Sequence, residues 1–155
     1  MLASSTEPAS ASDGGLNFDI RRATGEDAAF VFAFWLQDYF ERSKFAKGIS
    51  KTLFMRFHHL VLERVIARGV VYIACDPEAP SVAYGFACGE VAAGLPSTLH
   101  YVYVKRRFRR LGVGNALAQH LGVLPDRAFT FTHLTDDGIA LRKKYLLGEY
   151  NPYAV

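Results

Sequence analysis

At 155 residues the chain is sized for one domain with one sizeable core. Half of its residues are hydrophobic and 14% are aromatic, which excludes a disordered chain, and no stretch approaches the ~20 apolar residues of a membrane-spanning helix. Net charge is +3, yet residues 105–110 alone carry five positive charges, so the remainder is net −2; a cluster this compact suits a small polyanion better than a nucleic-acid backbone, which is met by a broad basic face.

Met1 to Gly15 are small and polar, without the basic start and apolar middle of a secretory signal. They read as a flexible tail, with the folded domain expected over 16–155 and a cytoplasmic location by default. Leu16 to Arg22 alternates in part and predicts a first strand. Thr24-Gly25-Glu26-Asp27 resembles a helix start, with Thr24 as N-cap and acids in the first turn. The helix that follows, Ala28 to Phe40, is apolar almost all round, as in a helix buried on several sides or lining a pocket. Ser50 then caps a second helix to about Arg68, with Leu53, Phe57, Leu60, Val61 and Val65 as its expected core stripe and Gly69 as its stop.

Val70–Cys75, Val82–Val91 and Thr98–Val104 read as three strands joined by turns at Asp76–Pro80 and Gly94–Ser97. A helix is expected over Gly112–Leu121 and a strand over Ala128–Leu134. A last helix is expected over Gly138–Leu147 with Gly148 closing it, then a short strand over Tyr150–Ala154. The order gives an α/β (α+β) mixture with hairpins in its middle, so it is not a doubly wound sheet. The two cysteines, Cys75 and Cys88, are too few for a disulfide framework; they read as reduced core thiols that a hairpin could bring near each other.

The basic segment sits between a strand and a helix. Helix N-termini expose unpartnered N–H groups and about half a positive charge, which together bind anions. Gly112 and Gly114 remove the Cβ atoms that would hold a phosphate off the backbone. Arg109 and Arg110 can add charge-assisted hydrogen bonds. On these grounds alone a tight turn beside a solvated basic loop remains open. A dinucleotide fold is disfavoured for want of a third spaced glycine and an early βαβ unit.

The run Val104-Lys105-Arg106-Arg107-Phe108-Arg109-Arg110-Leu111-Gly112-Val113-Gly114-Asn115-Ala116-Leu117 resembles the acetyl-CoA motif of the Gcn5-related N-acetyltransferase (GNAT) superfamily. Val104, Phe108, Arg109, Gly112, Gly114 and Leu117 match; Arg106 stands where a proline is frequent. The resemblance implies a mixed, mostly antiparallel central sheet flanked by about four helices. It also implies acetyl-CoA as cosubstrate, no metal, and an acetyl group passed to a primary amine of a small molecule or peptide by direct attack. No membrane partner and no nucleic acid are implied, and a homodimer is left open. Val102, Tyr103 and Val104 would pair with the pantetheine arm as an extra strand would. The N–H groups of Arg110, Leu111, Gly112, Val113, Gly114 and Asn115, with the Arg109 side chain, would hold the pyrophosphate.

The attacking amine must lose its proton. His100 is one candidate base: it lies four residues before Val104 and is expected on the same strand face, and some members of the superfamily have a working histidine there. Glu90 on the preceding strand is the other. The superfamily's usual acid is a tyrosine four residues after an alanine and four before a glycine. Between Ala140 and Gly148 that position is Lys144, and Tyr145 comes one residue later, about 100° round a helix. Asp137 stands where asparagine is frequent. Either Tyr145 serves in a shifted register or the fold binds acyl-CoA or nucleic acid without turnover. Trp35 and Tyr39 are the expected lining of the acceptor pocket. His58 and His59 diverge on their helix, and His120 and His133 stand alone, so no metal site is assigned.

Overall fold

The computed structural model describes residues 15–155; the tail predicted over 1–15 falls almost wholly outside the described residues. The elements are β1 (Asp19–Arg22), α1 (Ala28–Arg42), α2 (Lys51–Arg68), β2 (Val70–Cys75), β3 (Ala83–Glu90), β4 (Ser97–Val104), α3 (Val113–His120), β5 (Phe129–Phe131), α4 (Asp136–Leu141) and β6 (Gly148–Tyr150). The six strands lie side by side in chain order. The pairings β1–β2, β2–β3 and β3–β4 are antiparallel, whereas β4–β5 and β5–β6 are parallel. The expected mixed, mostly antiparallel sheet with four helices is therefore what forms.

Each face of the sheet buries its own core. On one side α1 and α2 cover Ile73, Phe86, Cys88 and Tyr101 with Trp35, Leu36, Tyr39, Phe54, Leu62 and Val65. On the other, Val113 and Leu117 of α3, with Leu121 just after it, lie over Ala74, Tyr84, Ala87 and Phe129. Leu16 and Phe18, predicted in the first strand, precede β1 but still pack on this second core. Cys75 and Cys88 are free and buried. They do not face each other, because Cys88 pairs with Val71 and Cys75 with Ala83.

Two expectations are corrected. Helix α2 turns Phe54, His58, Leu62 and Val65 inward, while the predicted stripe residues Leu53, Phe57 and Leu60 are each more than half exposed. Residues 53–65 contain enough apolar side chains for two helical phases, and packing against α1 and β3 selects the second. The last helix stops at Leu141 rather than Leu147, and Gly148 opens β6 instead of closing a helix. Pairing of Gly148 with Phe129 draws the chain back to the sheet before another turn can form, overriding local propensity. The final strand accordingly lies at Gly148–Tyr150, ahead of its predicted place.

Candidate functional site

The site begins as a fork in the sheet. Strand β4 pairs with β3 along its length, but with β5 only from Ser97 to Leu99. A last bond, Thr132 N–H to Leu99 O at 3.1 Å, closes the root of the fork. Beyond it the β5-side edge of β4, from His100 to Val104, has no strand partner among the described residues. At the root Cys88 pairs with Tyr101 and Gly89 with Leu99, so His100 is an extra residue, a β-bulge. The bulge reverses the alternation. Tyr101 and Tyr103 join the α1/α2 core, while Leu99, Val102 and Val104 pack on the α3 side. His100 contacts Glu90 and is not on Val104's face, as simple alternation had predicted.

A groove of about 670 Å³ runs along the free edge, lined by β4 from Leu99 to Val104 and by the loop into α3. In that loop Arg106–Phe108 makes a single 3-10 turn, and Phe108 stacks on Tyr84 with ring centroids 4.0 Å apart. Arg110 takes φ +63° and Gly112 φ +86°, both in the left-handed region; glycine occupies it freely and arginine pays strain. This double reversal aims the chain into α3. Ala116 is the first amide to bond back, to Gly112 O at 3.1 Å. The N–H groups of residues 110–115 donate to no backbone carbonyl among the described residues, the free donors that an anion needs. Gly114 lies over β4: a Cβ there would stand 3.7 Å from Val104 Cγ2 and 3.8 Å from Val102 Cγ1.

The predicted cofactor residues fall into groups. Val102, Tyr103, Val104, Arg109, Arg110, Gly112, Gly114 and Asn115 all line the groove. Leu111 is exposed and the Val113 side chain is buried in the α3 core, so these two offer only backbone. Arg109 is turned inward: its Nε donates to Val104 O at 2.8 Å, and its guanidinium lies 3.9 Å from Asp38. It fastens the loop to the end of β4. Arg110 lines the groove and makes no side-chain hydrogen bond or ion pair among the described residues, so its guanidinium is free to meet a phosphate.

The two candidate bases meet. His100 is buried, with Nε2 2.6 Å from Glu90 Oε2 and Nδ1 2.9 Å from Thr132 Oγ1. Glu90 also takes two hydrogen bonds from Arg68, at 3.0 and 3.1 Å. Arg68, and secondarily His100, hold the Glu90 carboxyl below its ordinary range. Desolvation lowers the His100 pKa, and Glu90 opposes that shift. Both ring nitrogens of His100 are therefore engaged, and neither is free toward the groove.

Tyr145 lines the groove and its hydroxyl donates to Asn115 Oδ1 at 3.0 Å. Because α4 has already ended, Tyr145 faces inward while Lys144 is exposed; the helical offset expected between them does not apply. Burial raises the Tyr145 pKa. Trp35 and Tyr39 do not line the groove but are core, 0% and 3% exposed. The residues that α1 sends to the groove are Asp38 and Arg42. Asp38 accepts the Tyr101 hydroxyl, and Arg42 bonds both Asp38 and Asp137. Sequence reading missed this pair, although charges at the C-terminal end of an otherwise largely apolar helix were the signal for it. It also missed Thr132, His133 and His58, which continue from His100. Thr132 Oγ1 is 2.8 Å from His133 Nδ1, and His133 Nε2 is 2.9 Å from His58 Nε2.

No protein-family model and no curated protein matches the sequence. Solved structures do match in shape. A protein of Pyrococcus furiosus assigned as an acetyl transferase is 14% identical, with a TM-score of 0.55 over 68% of this chain and 72% of its own. A possible acetyltransferase from Clostridium difficile 630 is 14% identical, with a TM-score of 0.54 over 83% of this chain and 87% of its own. A protein of Xanthomonas campestris assigned to the GNAT family is 18% identical, with a TM-score of 0.53 over 85% of this chain and 84% of its own. The chain has the GNAT superfamily fold.

Proposed function

We propose that this chain is an N-acetyltransferase that uses acetyl-CoA and a primary amine, carried on a small molecule or a peptide. The observation that carries the reading is the continuity of one groove. The unpaired edge of β4 runs directly into the cluster of free N–H groups at residues 110–115, as an extended arm ending in a pyrophosphate requires. The residues present fit such a ligand. Gly112 and Gly114 keep the turn free of side chains, and a Cβ at Gly114 would narrow the channel above Val102 and Val104.

When bound, acetyl-CoA supplies an activated acetyl thioester. The edge of β4 from His100 to Val104 offers backbone donors and acceptors to hold the arm. The amides of residues 110–115, with the Arg110 guanidinium, neutralise phosphate charge. Tyr145 keeps its hydroxyl proton across the neutral range, because burial raises its pKa, and so has a proton to give to a leaving thiolate. Asn115 orients that hydroxyl. The exposed Lys144 at the superfamily's usual tyrosine position favours a second reading, a binder of acyl-CoA without turnover.

Thermal unfolding tests the reading first. Saturating acetyl-CoA is expected to stabilise the protein by about 2.7 kcal/mol at a hundredfold excess over Kd. Absence of any shift at millimolar acetyl-CoA overturns both readings. Release of free thiol with a panel of amines then separates enzyme from binder.

A further inference from the structure

The two faces of the free β4 edge are furnished differently. Toward α3 lie the bare amides of residues 110–115, with Gly114 above Val102 and Val104. Toward α1 the groove is walled by Asp38, Arg42, Tyr101, Tyr103 and His133. The loop into α3 closes the first side, so an acceptor reaches the bulge at His100 from the second. Among the described residues the groove lining has two carboxylates. Asp137 stands at the rim with its side chain 62% exposed, whereas Asp38 sits deeper, 14% exposed, beside Tyr101.

Asp38 is thinly partnered for so deep a charge. Its Oδ2 accepts the Tyr101 hydroxyl, and its Oδ1 meets Arg42 at the long distance of 3.4 Å. The Arg109 guanidinium stays 3.9 Å away, with its Nε committed to Val104 O. A carboxylate can accept about four hydrogen bonds, so Asp38 keeps room for a further donor. Arg42 is shared with Asp137. Two carboxylates thus face two guanidinium groups, and this wall carries no net charge to repel a cation. Arg142, another cation of the lining, lies over the Phe131 ring on the β5 side. His133 has both ring nitrogens in use, with Thr132 and His58, and offers an arriving amine nothing.

We propose that Asp38 selects the acceptor: its carboxylate holds the incoming amine as an ammonium ion, so the substrate class is the strongly basic alkyl amine, and weakly basic aryl amines are refused. The proposal rests on the acyltransferase reading of the groove. A primary alkyl amine is cationic at pH 7, and an ion pair in a half-enclosed groove is stronger than the same pair in water. The bound ammonium gives one proton to water before its nitrogen attacks. As that nitrogen bonds to the acetyl carbon it becomes cationic again, and Asp38 faces the new charge. The carbon–sulfur bond breaks, the thiolate takes up a proton, and the nitrogen releases its surplus one. Ammonium and thioester thus give amide, thiol and one proton.

Benzylamine and aniline make the test pair: they are close in shape, and only the first is an ammonium ion at pH 7. With acetyl-CoA the protein is expected to favour benzylamine, and Asp38→Asn should cut the benzylamine-to-aniline ratio of kcat/KM roughly 10²-fold. Asp38→Asn keeps an oxygen for the Tyr101 hydroxyl, and its KM for acetyl-CoA should match the parent's. Asp38→Glu keeps the charge and should retain most of the preference. A parent that prefers aniline, or an unchanged ratio in Asp38→Asn, overturns the assignment. An independent arm needs no turnover. In carboxyl ¹³C spectra of the protein saturated with coenzyme A, the Asp38 signal is identified by its absence in either variant. It should move as benzylamine is added and stay still with aniline; equal movement, or none, overturns the assignment. Failure of the acyltransferase reading shows itself separately, as no thermal shift with acetyl-CoA.

Discussion

Three histidines buried as neutral rings tie the stability of this fold to pH. Burial lowers the pKa of His58 to about 4 and that of His133 well below its ordinary value, and it lowers that of His100 against the pull of Glu90. In the unfolded chain each titrates near 6.5. Below that pH the unfolded state binds more protons than the native state, so stability falls with pH until the native rings also charge. For His58 the loss runs from about pH 6.5 down to about 4. Each such ring contributes at most about 1.4 kcal/mol per pH unit. Glu90 acts lower: its pKa is depressed, so its stabilisation is present above the ordinary carboxylate range and is lost only as pH falls through that range. Urea unfolding at pH 7, 6 and 5 is expected to show this steep decline, with His58→Phe shallower by about one proton. An unchanged slope in that variant would show that His58 is not buried neutral. His100 and Glu90 were each legible in the sequence as candidate bases. Their contact was not, because it depends on a bulge that counting residues along a strand does not reveal. Thr132, His133 and His58 carry no local signal at all; 75 residues separate the last two, and only the closed fold brings them together.

At the scale of elements, α2 shows how an ambiguous pattern is resolved. Leu62 is wholly buried and Leu60 is 55% exposed, two positions apart on one helix. Leu62→Ala is expected to cost about 2–5 kcal/mol, as in other core truncations. Leu60→Lys is expected to stay within about 0.5 kcal/mol of the parent. Chemical denaturation of the two variants measures this, and equal costs would mean that the helix is rotated from the orientation described. The start of α2 was legible for a physical reason: Ser50 Oγ accepts from Leu53 N–H at 3.3 Å, as an N-cap should. So was the turn into α3, because glycine at a left-handed position leaves a mark in sequence that a packing preference does not. The end of α4 was not legible, since strand pairing sets it rather than its own residues.

For the molecule as a whole, the sheet and the groove share the same tight places. A Cβ at Gly85 would lie 2.4 Å from Tyr103 O, on the backbone that forms the groove edge. Gly85→Ala is therefore expected to cost about 1–3 kcal/mol or more and to weaken acetyl-CoA stabilisation in parallel. Gly114→Ala meets only ordinary contacts, so its fold should be intact while its acetyl-CoA response falls. Calorimetry with and without acetyl-CoA separates the two. A parallel loss of fold and ligand response at Gly114 would contradict its place above Val102 and Val104. The architecture and the glycine turn at the mouth of α3 were legible because hydrophobic alternation and paired glycines are written locally. The contribution of α1 was not: Trp35 and Tyr39 are core, and the residues α1 sends to the groove are Asp38 and Arg42.

The extra residue at His100 has a further consequence. A bulge is a count rather than a side chain, so no substitution erases it. Closing it would require deleting a residue, or sliding Ser97–Leu99 by one and turning Leu99 away from the α3 core. The opening in the sheet is thus inherited separately from the chemistry placed inside it. Descendants of this chain can exchange the groups in the groove one at a time, and the fork that exposes them will persist through every exchange.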